Sequence, residues 1–120
     1  MKEAFEELVN KAAKLVEGLG LHFQISKLAA ADCSHSMART YDVEIWIPSM
    51  GIYKEVSSAS NARDYQARRG MIRYRDKETG KTKFCHTLNA SGLATSRLFP
   101  ALLEQNQQKD GSVIIPDALV

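Results

Sequence analysis

At 120 residues and 13.3 kDa the chain has material for one hydrophobic core and no second domain. Its 44% hydrophobic and 25% charged residues exclude the disordered, collagen-like and disulfide-scaffold classes. A formal charge of +2 is too small to argue by itself for a nucleic-acid or membrane partner. Cys33 and Cys85 stand in no C-x-x-C or Cys/His spacing, so neither a zinc site nor a redox pair is signalled. No apolar run reaches the roughly 18–20 residues of a membrane span. The first residues are too acidic for an Arg-rich transit peptide and lack a secretory apolar block. The expectation is an intracellular chain.

Phe5, Leu8, Val9, Ala12, Leu15, Val16 and Leu19 recur at three- and four-residue steps. This predicts an amphipathic helix stopped by Gly18 and Gly20. Leu21, Phe23 and Ile25 then alternate with His22, Gln24 and Ser26, the period of a half-buried strand. Residues 29–39 show neither period. Tyr41, Val43, Ile45 and Ile47 alternate with Asp42, Glu44 and Trp46 until Pro48, which cannot donate to a ladder. Pro48–Gly51 reads as a turn and 52–58 as the returning strand. A second hairpin is expected with arms 71–75 and 82–89 joined by Asp76–Gly80. Asn89, Ala90, Ser91 and Gly92 offer capping side chains before Leu93, Leu98, Ala101 and Leu102, a second amphipathic helix. A last short strand is expected at 113–115, stopped by Pro116. Strands joined by short hairpins with helices at both ends imply an α+β fold, its antiparallel sheet covered by helices on one side.

Several residues could carry chemistry. A solvent-facing Glu55 beside Ser57 and Ser58 on a strand is by default only a soluble surface. His86 has no carboxylate at ligand spacing and reads as a structural histidine. Arg63, Arg68, Arg69, Arg73 and Arg75 form a basic cluster diluted by Asp64 and Asp76. Such a run is usually a solvated face, occasionally a phosphate or RNA contact. Asn89–Gly92 leading into a helix that carries Arg97 is more informative, because a helix start presents unpaired N–H groups to an anion. A capping Ser91 with a salt-bridged Arg97 accounts for the same spacing.

Beyond this, three stretches resemble successive motifs of the seryl-tRNA synthetase catalytic domain, in the family's order. They are Tyr41-Asp42-Val43-Glu44-Ile45-Trp46-Ile47-Pro48, Glu55-Val56-Ser57-Ser58-Ala59-Ser60-Asn61, and Asp64-Tyr65-Gln66-Ala67-Arg68-Arg69. The run from His86 to Arg97 resembles that family's version of class II motif 3, and Asn106–Ser112 resembles its continuation. The similarity is nearly unbroken from Tyr41 to Pro116.

The resemblance implies activation of L-serine by ATP to seryl-adenylate and transfer to serine tRNA, within the class II α+β catalytic fold. By position, Glu55 and Ser58 resemble the family's magnesium ligands, hard oxygen donors suited to an ion that also keeps phosphate oxygens and water. Glu55, Val56, Ser57 and Ser58 together resemble its ATP-contacting segment. Arg97 resembles the motif 3 arginine that pairs with the γ-phosphate, and Asn89 and Ser91 resemble residues that recognise serine. A metal site using Glu55 with Ser58 conflicts with strict strand alternation, which would put them on opposite faces. An irregularity near Ser57 is therefore expected.

The family's motif 1, which builds its homodimer interface, and its motif 2 have no counterpart in these residues. The chain is expected to be a partial catalytic domain over 1–120, the C-terminal portion with motif 3. Ala90 and Ser96 stand where the family usually has glycine. Pro100 falls inside the expected helix, where it removes a bond to the Ser96 carbonyl, so a bend or break near Ser96 is expected. Two functions compete. One is a serine–tRNA ligase fragment, weak or inactive by itself, that supplies the motif 3 half of the site. The other is an inactive synthetase-like partner or RNA-binding module using the Arg63–Arg75 cluster. The family works in cytoplasm and mitochondrial matrix, and Asn106–Ser112 leans toward the organellar form.

Overall fold

In the computed structural model, which describes residues 1–120, the first helix α1 spans Lys2–Gly18. Its stripe buries Phe5, Val9, Ala12, Ala13 and Val16. Leu15, expected on the same stripe, is instead 51% exposed. The core takes Ala12, Ala13 and Val16 at this end of the helix and leaves Leu15 to one side of them.

Four strands follow in an antiparallel sheet of order β1-β2-β3-β6: β1 Phe23–Lys27, β2 Arg39–Ile47, β3 Ile52–Arg63 and β6 Thr87–Asn89. Gly51 (φ 62°) closes the β2–β3 hairpin, its N–H bonded to the Ile47 carbonyl at 2.9 Å. This is a left-handed position that glycine enters without steric cost. β3 runs well past the expected end at residue 58, because Arg39–Tyr41 continue to pair with Ala59–Asn61 and β6 supports its far end on the other edge.

The second hairpin is shorter than expected. Only β4 Arg73–Arg75 and β5 Thr82–Phe84 form it, and they pair with each other alone. Residues 87–89 leave it to join β3 as β6. A six-residue helix, α2 Tyr65–Gly70, which the periodicity did not announce, precedes the ribbon. The final strand is also absent. Val113 makes a single bridge to Gln107, and a 3-10 turn spans Asp117–Leu119.

The last helix, α3, begins at Thr95 and not at the expected caps. The Ala94 N–H bonds the Val56 carbonyl at 2.7 Å, which keeps the preceding residues laid along β3, so the helix starts only beyond them. α3 continues to Asn106 through Pro100 without the break expected near Ser96. The discontinuity lies ahead of the helix, between β6 and Thr95.

α1 and α3 cover one face of the sheet. Ala12, Val16, Ala101 and Leu102 meet Val43, Ile45, Ile47 and Val56 in one core, as the α+β reading expected. Phe5 stacks on Tyr41 at 5.6 Å in a smaller cluster. The opposite face carries no helix. The radius of gyration is 18.1 Å, against about 14 Å for a compact chain of this length. The accessible surface is 8087 Å², against about 6,500 Å² for a compact protein of this mass. A sheet covered on one face only, with a ribbon paired to nothing else, accounts for both.

Candidate active site

The uncovered face is built by the register of three strands. Gln24 and Ser26 of β1 lie opposite Glu44 and Asp42 of β2. On the other side, Glu44 faces Glu55 and Val43 faces Ser57, so Val56 is the extra residue of a β-bulge. Ser58 then falls opposite Asp42. Since Asp42 and Glu44 are two apart on β2 and share a face, so do their partners Ser58 and Glu55. The irregularity expected near Ser57 is present one residue earlier, within a strand that otherwise runs on.

The bulge sends the intervening pair inward. Val56 and Ser57 are both 0% exposed, so neither presents its side chain to the open face. The Ser57 hydroxyl donates to the Ser91 carbonyl at 2.6 Å, tying the loop after β6 to the strand.

Arg97 occupies the first turn of α3, nearer its start than the expected position. β6 pairs only with Ser60–Arg63, so the rest of that edge of β3 is free of a strand. Arg97 reaches across this open edge, donating to the Glu55 carbonyl at 3.0 Å, with the Glu55 carboxylate at 3.7 Å. A guanidinium has five N–H donors, and one contact leaves the others available. Beside them a cavity of about 400 Å³ is lined by Lys54, Glu55, Ser96, Arg97 and Glu104 among others.

Asn89 closes β6 opposite Ser60, on the same uncovered face as Ser58. It is a strand residue, and neither it nor Ser91 caps a helix. The residue before α3 is Ala94, with no side-chain cap. The buried Thr40 and Ser60 hydroxyls bond at 2.9 Å between these positions. At the hairpin end the face is closed by Trp46 and Tyr53, ring centroids 5.1 Å apart, and by His22, whose Nε2 lies 2.9 Å from the Tyr53 hydroxyl.

Two acids of this face were legible in the sequence only as the polar half of an alternating strand. Glu44 accepts from Gln24 Nε2 at 2.7 Å and from the Ser26 hydroxyl at 2.9 Å. Asp42 is 7% exposed, and its Oδ1 is buried without a hydrogen-bond partner. An Asp placed between Tyr41 and Val43 on the strand with the clearest alternation was the available signal.

The basic cluster is mostly engaged locally. Arg68 pairs with Asp64 at 3.5 Å, Arg69 lies 3.5 Å over the Tyr65 ring, and Arg73 lies 4.8 Å over Phe84. His86, expected to be a satisfied structural histidine, is exposed. Cys33 and Cys85 are free and half-buried. No helix is long and apolar enough to cross a membrane.

The model of the tRNA synthetase class II core domain (G, H, P, S and T) matches residues 1–106. The chain is 71% identical over 116 residues to "Serine--tRNA ligase 2" of Clostridium acetobutylicum, covering 97% of this chain and 27% of that protein. It is 52% identical over 117 residues to "Serine--tRNA ligase" of Cellvibrio japonicus, covering 98% and 27%. The chain thus spans about a quarter of the length of these curated relatives. They are bacterial proteins and lend no support to the mitochondrial lean. The crystal structure of seryl-tRNA synthetase from Pyrococcus horikoshii complexed with ATP matches with a TM-score of 0.92 at 40% identity, over 98% of this chain and 26% of that one. Cytoplasmic serine-tRNA ligase from Naegleria fowleri, in complex with AMP, matches with a TM-score of 0.86 at 31% identity, over 98% and 24%. An antiparallel sheet backed by two helices, a polar face opened by a bulge, and these matches lead to one conclusion: the chain belongs to the class II tRNA synthetase core-domain family.

Proposed function

We propose that this chain forms the motif 3 part of the active site of a serine–tRNA ligase, which activates L-serine with ATP and passes the seryl group to serine tRNA. The observation that carries the reading is the Val56 bulge. It aligns Glu55 and Ser58 on the open face while Arg97 reaches Glu55 from the edge. Ligation and nucleotide binding in the relatives, ATP in one solved structure and AMP in another, support it.

In the activation step a serine carboxylate oxygen attacks the α-phosphorus. A P–O bond forms, the bond to the bridging oxygen of the β-phosphate breaks, and pyrophosphate leaves with the electron pair. The terminal adenosine hydroxyl of the tRNA then attacks the seryl carbonyl and AMP departs. Such chemistry needs placed charge more than a base. Arg97, with N–H donors free, pairs with the γ-phosphate. The Glu55–Ser58 segment borders the nucleotide through Glu55 and Ser58, with Val56 and Ser57 fixing their alignment from the core. Asn89 and Ser91, the latter held by the Ser57 hydroxyl, recognise serine.

The donor set fits magnesium. Asp42, Glu44 and Glu55 place three carboxylates on one face, against Arg97 at its edge. Glu55 and Ser58 supply hard oxygen donors, suited to a hard cation that shares its shell with phosphate and water. These two residues would hold it. When bound, the ion neutralises phosphate charge that Arg97 alone leaves uncompensated. An inactive partner or RNA-binding module gains no comparable support, since Arg68, Arg69 and Arg73 have local partners.

The test is calorimetric binding of magnesium with ATP, ADP or AMP to the chain and to its Arg97→Ala variant. The reading expects Arg97→Ala to weaken ATP at least tenfold while AMP is unaffected. Equal loss for all three nucleotides, or none, overturns the γ-phosphate role. No nucleotide binding by the unaltered chain would overturn the reading that it forms a nucleotide site.

A further inference from the structure

Asp42 is the one side chain of the open face with a buried oxygen that nothing satisfies. It is 7% exposed and Oδ1 has no partner within the protein. Ser26, its opposite number on β1, could have served it, but donates to Glu44 at 2.9 Å. On its other side stands Ser58, the residue that the bulge brings into line with Glu55. Residues opposed in an antiparallel pair have Cβ atoms about 4.5–5.5 Å apart, close enough for one water to bridge their side chains. A buried carboxylate oxygen calls for a donor. Glu44 and Glu55 share the face, and the Arg97 guanidinium is directed at Glu55.

We propose that Asp42 is a positioning residue, whose Oδ1 accepts a hydrogen bond from a water bound to the divalent cation held by Glu55 and Ser58. The inference rests on the reading of Glu55 and Ser58 as metal ligands. A water on a cation is polarised and is a strong donor, suited to a sunken carboxylate that cannot reach the ion itself. Asp42 thereby fixes that water, and with it the side of the cation turned toward β2. Glu44, already accepting two hydrogen bonds, has no such demand.

The experiment titrates Mn2+ in the presence of ATP, reading free Mn2+ by electron paramagnetic resonance, on the unaltered chain and on Glu55→Gln, Asp42→Asn and Asp42→Glu. Thermal melting in chelator is measured beside it. Asp42→Asn is expected to weaken Mn2+ by about 10–100-fold. It should leave the metal-free melting temperature equal or raised, since Oδ1 makes no hydrogen bond within the protein that the change could remove. A merely structural role would lower that temperature. Asp42→Glu keeps the charge but moves the carboxylate by one methylene, and is expected to weaken Mn2+ as well. It carries the test should Asp42→Asn not fold. Unchanged Mn2+ affinity in either folded variant, with Glu55→Gln still impaired, overturns the role of Asp42 and leaves the metal reading standing. Unchanged affinity in Glu55→Gln, or no Mn2+ binding by the unaltered chain, overturns the metal reading and this inference with it.

Discussion

Glu55 and Ser58 stand three residues apart on one strand, yet they face the same side of the sheet. The reason is Val56, the unpaired residue of the bulge, which turns inward with Ser57 and restores the alternation beyond it. The site therefore depends on a residue whose side chain lies in the core. Val56→Ala removes apolar bulk from a fully buried position and is expected to cost about 2 kcal/mol of stability. Urea unfolding of the two proteins measures it. A loss within experimental error would mean that this part of the core is loosely filled.

Ser57 joins the two halves of the site, its hydroxyl donating to the Ser91 carbonyl at 2.6 Å from a fully buried position. Ser57→Ala is expected to lower stability by about 1 kcal/mol, the net worth of such a bond. Because it frees the loop that bears Ser91, it should weaken serine more than ATP in direct binding measurements. Equal weakening of both ligands would count against that link.

Pro100 is the sixth residue of α3, where its missing N–H leaves the Ser96 carbonyl without the usual helical donor. It is exposed, so an alanine there disturbs no core contact. Pro100→Ala is expected to raise stability by about 1–3 kcal/mol, visible as a higher melting temperature. A lower one would show that the ring pre-orders the first turn, where Arg97 sits.

Glu104 holds the tip of the β2–β3 hairpin. It accepts from the Ser49 N–H at 2.9 Å and from the Ser49 hydroxyl at 2.7 Å. Those bonds, the backbone one foremost, hold its carboxyl below the ordinary value of 4.5. A folded value below the unfolded one means that the contribution is present above the ordinary value and is lost as pH falls through the depressed one. Melting temperature followed from about pH 7 to about pH 3 should therefore fall less steeply over that acid range in Glu104→Gln than in the unaltered chain. Parallel curves would remove Glu104 from the acid sensitivity.

Much of the architecture follows from local chemistry in the sequence. The three- and four-residue steps of α1, the alternation of β2 and the Pro48–Gly51 turn each depend on neighbours in the chain. A short turn can join only antiparallel strands. The antiparallel sheet with helices on one face was legible for that reason, and the family was legible in the motifs from Tyr41 to Pro116.

What the tertiary structure decided are the places where a backbone group finds a distant partner. Ala94 donates to Val56, and α3 consequently begins at Thr95 instead of at the Asn89–Gly92 caps. Thr87–Asn89 pair with β3 rather than lengthening the ribbon, since the edge of the larger sheet was open to them. The position of the bulge followed from how β2 and β3 align over nine pairs, which no window of sequence contains. Asp42 shows the same division. Its place on the polar side of β2 can be read from alternation, but its burial, and the loss of Ser26 to Glu44, exist only once three strands lie side by side.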